Sequence, residues 1–208
     1  MRRGLIVSCV SVINAAIKLR LQNVVEYLEN YLNTNETAWI LPRDFFEVVE
    51  ERNLLRLKEK ALQLACKYPK TVLEPFGGYG FYEYYVRFLN LKEETLIQLL
   101  QRNDLGMDEP EILNRLISWG IGNIEHYKKK RVADGPSILD KRIVKRPMNF
   151  MRRKEAIDLK ETLRNCIPHI RFFHMSPEDY IQTRTQFRNV IPEKLDDKII
   201  NYFFELRL

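Results

Sequence analysis

Apolar residues recur three and four apart in one segment of this chain after another, and that spacing admits amphipathic helices and little else. Residues 10–32 carry Val10, Ile13, Ile17, Leu21, Val24, Val25, Leu28 and Leu32 in such a stripe, with a predicted break near Lys18–Leu21. Asn33-Thr34-Asn35 stops it, because these side chains bond their own backbone and favour caps and turns. Thr37–Arg52 reads as the next helix, built on Trp39, Ile40, Phe45, Phe46, Val48 and Val49. Pro42 falls either in a short turn before it or in its first turn, where the missing N–H costs little. Residues 54–68 are the strongest amphipathic stretch, with Leu54, Leu57, Ala61, Leu64, Ala65 and Tyr68 on one side and Pro69 at its end. A helix begins near Lys92 on Leu91, Leu96, Ile97, Leu99 and Leu100. The next starts at Asp108, with Pro110 in its first turn and Glu111 completing a capping-box pattern. Its apolar face is Leu113, Leu116, Ile117, Trp119 and Ile121, and Gly120 and Gly122 are expected to weaken its end. Residues 155–173, 176–189 and 192–204 supply three more, the second opened by a Ser176 cap, Pro177 and two acids. The expected fold class is all-α, a helical-hairpin array or bundle of about eight to ten helices. With 8 glycines in 208 residues, the turns that an all-β fold needs are missing.

Length and cysteine usage narrow the setting. A chain of 208 residues can bury a sizeable core. Cys9, Cys66 and Cys166 are too few and too scattered for a disulfide framework, so reduced thiols and an intracellular location, cytoplasmic or nuclear, are expected. The N-terminus mimics a signal peptide, with two arginines before an apolar run. Ser8, Ser11 and Asn14 interrupt that run, and its periodicity continues beyond Ala16. No apolar stretch approaches the ~20 residues of a membrane span, so no membrane association is expected.

The net charge of +6 is concentrated. Residues 125–153 have little periodicity and read as a long mobile loop, following which the helices resume. Between Lys128 and Lys154 stand eleven cations, Lys128, Lys129, Lys130, Arg131, Lys141, Arg142, Lys145, Arg146, Arg152, Arg153 and Lys154, against two aspartates, leaving −3 for the rest of the chain. Such tracts serve nuclear localisation or bind nucleic acid, or are simply solvated insertions. Tyr127 and Phe150 flank the tract, so few aromatics are at hand to stack on bases.

Catalytic constellations are missing from the pattern. Cys166, His169 and His174 have the spacing Cys-x2-His-x4-His, but they offer three ligands where a structural zinc takes four, and Ser176-Pro177 breaks the backbone just beyond. A Cys–His nucleophile pair there lacks an orienting third group. The acidic pairs Glu50-Glu51, Glu93-Glu94 and Asp108-Glu109 sit at helix starts or on polar faces, where capping and solvation account for them. Gly77-Gly78-Tyr79-Gly80 has no following Lys-Ser/Thr and reads as a flexible connector rather than a phosphate cradle. No enzyme activity, no metal and no cofactor are expected.

Several stretches, taken in order, resemble the BACK domain of BTB–BACK proteins, the helical region that links a BTB domain to Kelch repeats or a TLD domain. AAIKLRLQNVVEYLENYL resembles the last helices of a BTB domain. FFEVVEERNLLRLKEKALQLACKY resembles the first BACK helix pair, LNLKEETLIQLLQRNDLGMDEPEILNRLISWGI the most recognisable BACK element, and LKETLRNCIPHIRFFHMSPEDY the later segment where a Ser/Pro-capped helix begins. The resemblance covers residues 10–204. It implies a BTB-tail remnant over 1–35 and a BACK-like helical domain over 36–208, with the basic loop longer than is usual. It further implies that the chain starts inside the BTB tail and ends where a Kelch or TLD domain would begin.

The expected function is then that of a non-catalytic scaffold and protein-interaction module of the kind found in substrate adaptors for cullin-type ubiquitin ligases. The first helix pair, about Thr37–Tyr68, would contact the cullin. The implied partners are a cullin-type scaffold, bound weakly without a BTB domain, and BTB-containing relatives, with homo-oligomerisation a further expectation. Leu21, Val24, Leu28, Trp39, Phe45 and Phe46 are the candidate protein interface, the surface that a BTB domain would cover. At least one of Phe45 and Phe46 is expected in the core instead. The alternative is a nucleic-acid-associated protein that binds weakly through 126–154.

Overall fold

The computed structural model describes residues 8–51, 53–73, 81–125, 127–129, 152–187 and 190–205, the side chains of 81–83 excepted. Among these, every regular element is helical, and the all-α class holds. The chain divides into two compact units, residues 1–91 with 102–106, and residues 92–101 with 107–208.

The first unit opens with α1 (Cys9–Lys18), whose N-cap Ser8 accepts a hydrogen bond from the Ser11 N–H at 3.0 Å. The stripe breaks where its spacing predicts. Arg20 adopts the left-handed conformation (φ 58°), and Leu21 N–H bonds back to the Ala16 carbonyl at 2.9 Å, a helix-ending motif usually built on glycine. α2 (Gln22–Thr34) follows and ends at Asn35. A 3-10 turn (Glu36–Ala38) carries the chain to Trp39, whose indole N–H donates to the Leu32 carbonyl at 3.0 Å, so a buried ring keeps its polar atom paired. Pro42 stands at the N-cap of α3 (Arg43–Glu50). α4 (Leu55–Lys67), α5 (Pro69–Leu73) and α6 (Phe81–Leu89) complete the unit. α1 packs on α2 and α3, α4 packs on α2, α3 and α5, and α6 packs on α3 and α5. Leu54, Leu57, Ala61, Leu64 and Ala65 are buried, but Tyr68 is exposed, and Pro69 opens a short helix as well as ending α4. Residues 81–89, FYEYYVRFL, form a helix that the sequence expectations do not include.

The second unit contains α7 (Glu93–Leu100), α8 (Glu109–Asn123), α9 (Arg153–Thr162), α10 (Pro177–Phe187) and α11 (Glu193–Glu205). α8 is its axis and packs on α9 and α10. Asp108 is the N-cap residue of α8, as expected, yet its side chain makes no capping bond. The helix end expected near Gly120 and Gly122 falls at Asn123, one residue beyond the second. α8 runs through both to Asn123, and both glycines are buried. A Cβ on Gly120 would meet Leu163 at 2.7 Å and Leu159 at 2.8 Å, so glycine is what lets α9 approach. The single helix expected over 155–173 is instead α9 followed by 3-10 turns at Ile167–His169 and Phe172–His174, since Pro168 cannot donate a helical hydrogen bond. Ser176 caps α10, accepting from Asp179 N–H at 3.0 Å and donating to its carboxylate at 2.7 Å. The FGGYG connector and residues 130–151 of the basic loop lie outside the described residues.

Candidate interaction surfaces

α2 follows from its own stripe. Val25, Glu29 and Leu32 point into the first unit and are buried. The far side of the helix is polar, with Asn23, Glu26, Asn30 and Asn33 exposed, but the flank between the two carries apolar side chains as well. Val24, Tyr27, Leu28 and Tyr31 stand at i, i+3, i+4 and i+7, and Leu19 and Leu21 extend the row at the preceding turn. Leu21 is 47% exposed, Tyr27 70% and Leu19 68%, while Leu28 is half-buried. Exposed apolar residues in a continuous row mark a surface that some partner covers, whereas scattered ones do not. Of the six interface candidates, Leu21, Val24 and Leu28 thus lie together on the outside of α2. Trp39, Phe45 and Phe46 are core residues of the first unit, with the two phenylalanine rings edge to face at 5.2 Å.

The inner side of α2 contains one anomaly. Glu29 is a buried carboxylate whose nearest cation, Arg56, stands 3.7 Å away and is itself largely in solvent. Burial pushes its carboxyl above the usual range, and Arg56 only partly offsets this.

The cationic candidates fall into two sets. Lys128, Lys129, Arg152, Arg153 and Lys154 are exposed, with Lys129 on Glu125 at 3.1 Å. Lys130, Arg131, Lys141, Arg142, Lys145 and Arg146 lie outside the described residues.

Several of the groups weighed for chemistry are tied into the packing. Cys166 is fully buried, and that burial pushes its thiol up to about 12, so no thiolate is on offer at neutral pH. His174 is exposed, and among the described residues no group of three or more His, Cys, Asp or Glu side chains could hold a metal ion. Glu109 accepts from both the side chain (2.9 Å) and the main chain (3.1 Å) of Arg171, tying the start of α8 to the 3-10 segment. Glu93 accepts from Asn165 at 3.1 Å. Sequence reasoning missed a buried network in the second unit. There Asp196 accepts from the Tyr180 hydroxyl at 2.6 Å and from Arg184 Nε at 2.7 and 3.0 Å. Its only sequence signal is that Asp196 sits on the apolar side of α11, in phase with Ile199 and Phe203.

No helix among the described residues is long and apolar enough to cross a membrane. Part of the chain is similar to BTB/POZ domain-containing protein 7 of mouse and of human, at 34% identity over 98 residues in each case. The match takes in 43% of this chain and 8% of the relative, so the chain spans a small part of that protein's length. No family model matches, and no solved structure matches. What the comparisons establish is a partial likeness between this all-α chain and a BTB/POZ domain-containing protein.

Proposed function

We propose that this chain is a non-catalytic helical protein-interaction module, and that the outer face of α2 docks against a BTB-type domain. The observation that carries the reading is the row Leu21, Val24, Tyr27 and Tyr31, exposed around a half-buried Leu28 on a helix whose inner face is anchored in a core. The occupant is argued from the partial likeness to a BTB/POZ domain-containing protein, and from the resemblance of α1 and α2 to the helices with which a BTB domain ends. In this reading residues 1–35 belong with such a domain and 36–208 form a BACK-like scaffold. Calorimetric titration of the full chain with the isolated BTB domain of the mouse relative is the test. Saturable binding that Leu21→Glu with Val24→Glu weakens at least tenfold supports it. No binding, or equal binding by the variant, contradicts it.

The finer reading is a spacer of the kind used in cullin-type ubiquitin ligase adaptors, with the α3–α4 pair turned to the cullin. It expects the 208-residue chain to retain a cullin less well than a BTB-containing relative does; equal retention contradicts it. A second reading is favoured by the +9 carried between Lys128 and Lys154. If that tract binds RNA or DNA, affinity falls steeply with salt and is lost on deletion of residues 126–154.

A further inference from the structure

The second unit carries an apolar groove between α10 and α11 that the reading above does not use. It has a volume of about 240 Å³ and is lined by Pro177, Tyr180 and Ile181 of α10 and by Ile200, Phe203 and Phe204 of α11, with Arg184 at one end. The α10 residues stand at i, i+3, i+4 and i+7 and the α11 residues at i, i+3 and i+4, so each helix turns one continuous stripe to the groove. The floor is fixed: Tyr180 and Phe203 are buried with ring centroids 5.7 Å apart, and Asp196 holds both the Tyr180 hydroxyl and Arg184. The rims are not covered, since Ile181 is 58% and Phe204 68% exposed. A preformed groove of this kind, with apolar walls on two helices, accepts the apolar face of a third.

Charge selects the occupant. Asp196 offsets Arg184 across the groove. Asp197 stands three residues before Ile200 and seven before Phe204, on the groove side of α11, and its charge reaches both Tyr180 and Arg184. Glu193 lies one turn earlier on the same line, whereas Lys194 and Lys198 fall on the far side of α11. With Arg184 paired to Asp196, Glu193 and Asp197 leave an acidic excess beside the Arg184 end of the groove among the described residues. A second copy offering the same surface would set acid against acid, which disfavours self-docking.

We propose that the α10–α11 groove is a docking site for an amphipathic helix of a partner protein, one that carries Lys or Arg beside its apolar anchors. The site is independent of the α2 face, which belongs to the other unit. The probes are two fluorescent peptides of about sixteen residues, long enough to form a helix on binding. Both have leucine at i, i+3, i+4 and i+7, and they differ only in lysine or glutamate at the polar positions. Fluorescence anisotropy with the full chain should show the lysine peptide binding at least about tenfold more tightly than the glutamate peptide. Phe204→Ser and Ile181→Ser, both at exposed positions and checked for retained helicity, should each weaken that binding about tenfold. Asp197→Lys should remove the preference for lysine, and the Leu21→Glu, Val24→Glu variant should bind as the wild type does. Equal affinity for the two peptides, indifference to Phe204→Ser, or loss of binding in the α2 variant overturns the inference. So does a wild-type dimer that Phe204→Ser dissolves, because the occupant would then be a second copy.

Discussion

α2 and α8 are helices of similar length and similar apolar content, and they use those apolar side chains in opposite ways. α8 buries residues right around its circumference, including Ile112, Leu113, Leu116, Trp119 and Ile121, and it admits a neighbour at Gly120. α2 buries Val25, Glu29 and Leu32 and holds Leu21, Val24, Tyr27 and Tyr31 in water. The hydrophobic effect rewards both sets only when both are covered. Among the described residues α8 has its cover, and the outer flank of α2 does not. The difference teaches that an apolar stripe identifies a helix but does not say whether the stripe is core or interface; the packing around it decides.

The largest expected effect is on α8. Leu113→Ala, which empties a fully buried site, should cost about 3 kcal/mol of stability, through lost transfer energy and the cavity left behind. Leu21→Ala on α2 should change stability by less than about 0.5 kcal/mol in the same urea titration. Comparable losses at the two positions would erase the distinction. Next comes Gly120→Val, which forces branched carbons into Leu159 and Leu163 and should cost about 2 kcal/mol. A neutral result would mean that α9 can withdraw from α8 freely.

At the turn that sets α2's direction, Arg20→Gly should raise stability by about 1 kcal/mol, because glycine carries no penalty at φ 58°. Destabilisation there would show that the Arg20 side chain contributes more than its backbone costs.

A smaller effect concerns pH and sharpens the contrast inside α2. Burial raises the Glu29 carboxyl above 4.5, so the folded chain holds that proton when the unfolded chain has already lost it. Stability should therefore fall as pH rises from 4.5 through the higher folded value, and Glu29→Gln should flatten that part of the curve. An unchanged difference between wild type and variant across this window would mean that Glu29 reaches solvent.

Much of the fold is legible in the sequence where periodicity is clean. The Asn35 stop and the Ser176 start rest on local chemistry that a sequence shows directly, and the break between α1 and α2 falls where the stripe's spacing places it, though Arg20 gives no sign of its left-handed backbone. Legibility fails where local rules meet long-range packing. Gly120 reads from propensity alone as a residue that weakens a helix end, whereas the structure gives it a packing role, the close approach of Leu159 and Leu163, about forty residues on. α6 is short and follows the FGGYG stretch directly, and sequence reasoning misses it although Glu83 and Arg87 stand four apart on one side of it. The candidate interface is half legible. Leu21, Val24 and Leu28 lie together on α2, but Trp39, Phe45 and Phe46 look the same in sequence and are core, since exposure is a property of neighbours. The α10–α11 groove is not legible at all, because it depends on how the stripes of two separate helices come together, which local spacing does not show.

The outer face of α2 as a docking surface is open to direct test. Hydroxyl-radical footprinting of the full chain, with and without the BTB domain of the mouse relative, reads that face side chain by side chain. The expected result is protection of Leu21, Val24, Tyr27 and Tyr31 on complex formation, with Val25 and Leu32 unreactive throughout. Unchanged labelling of those four residues in a sample shown to be bound would contradict it.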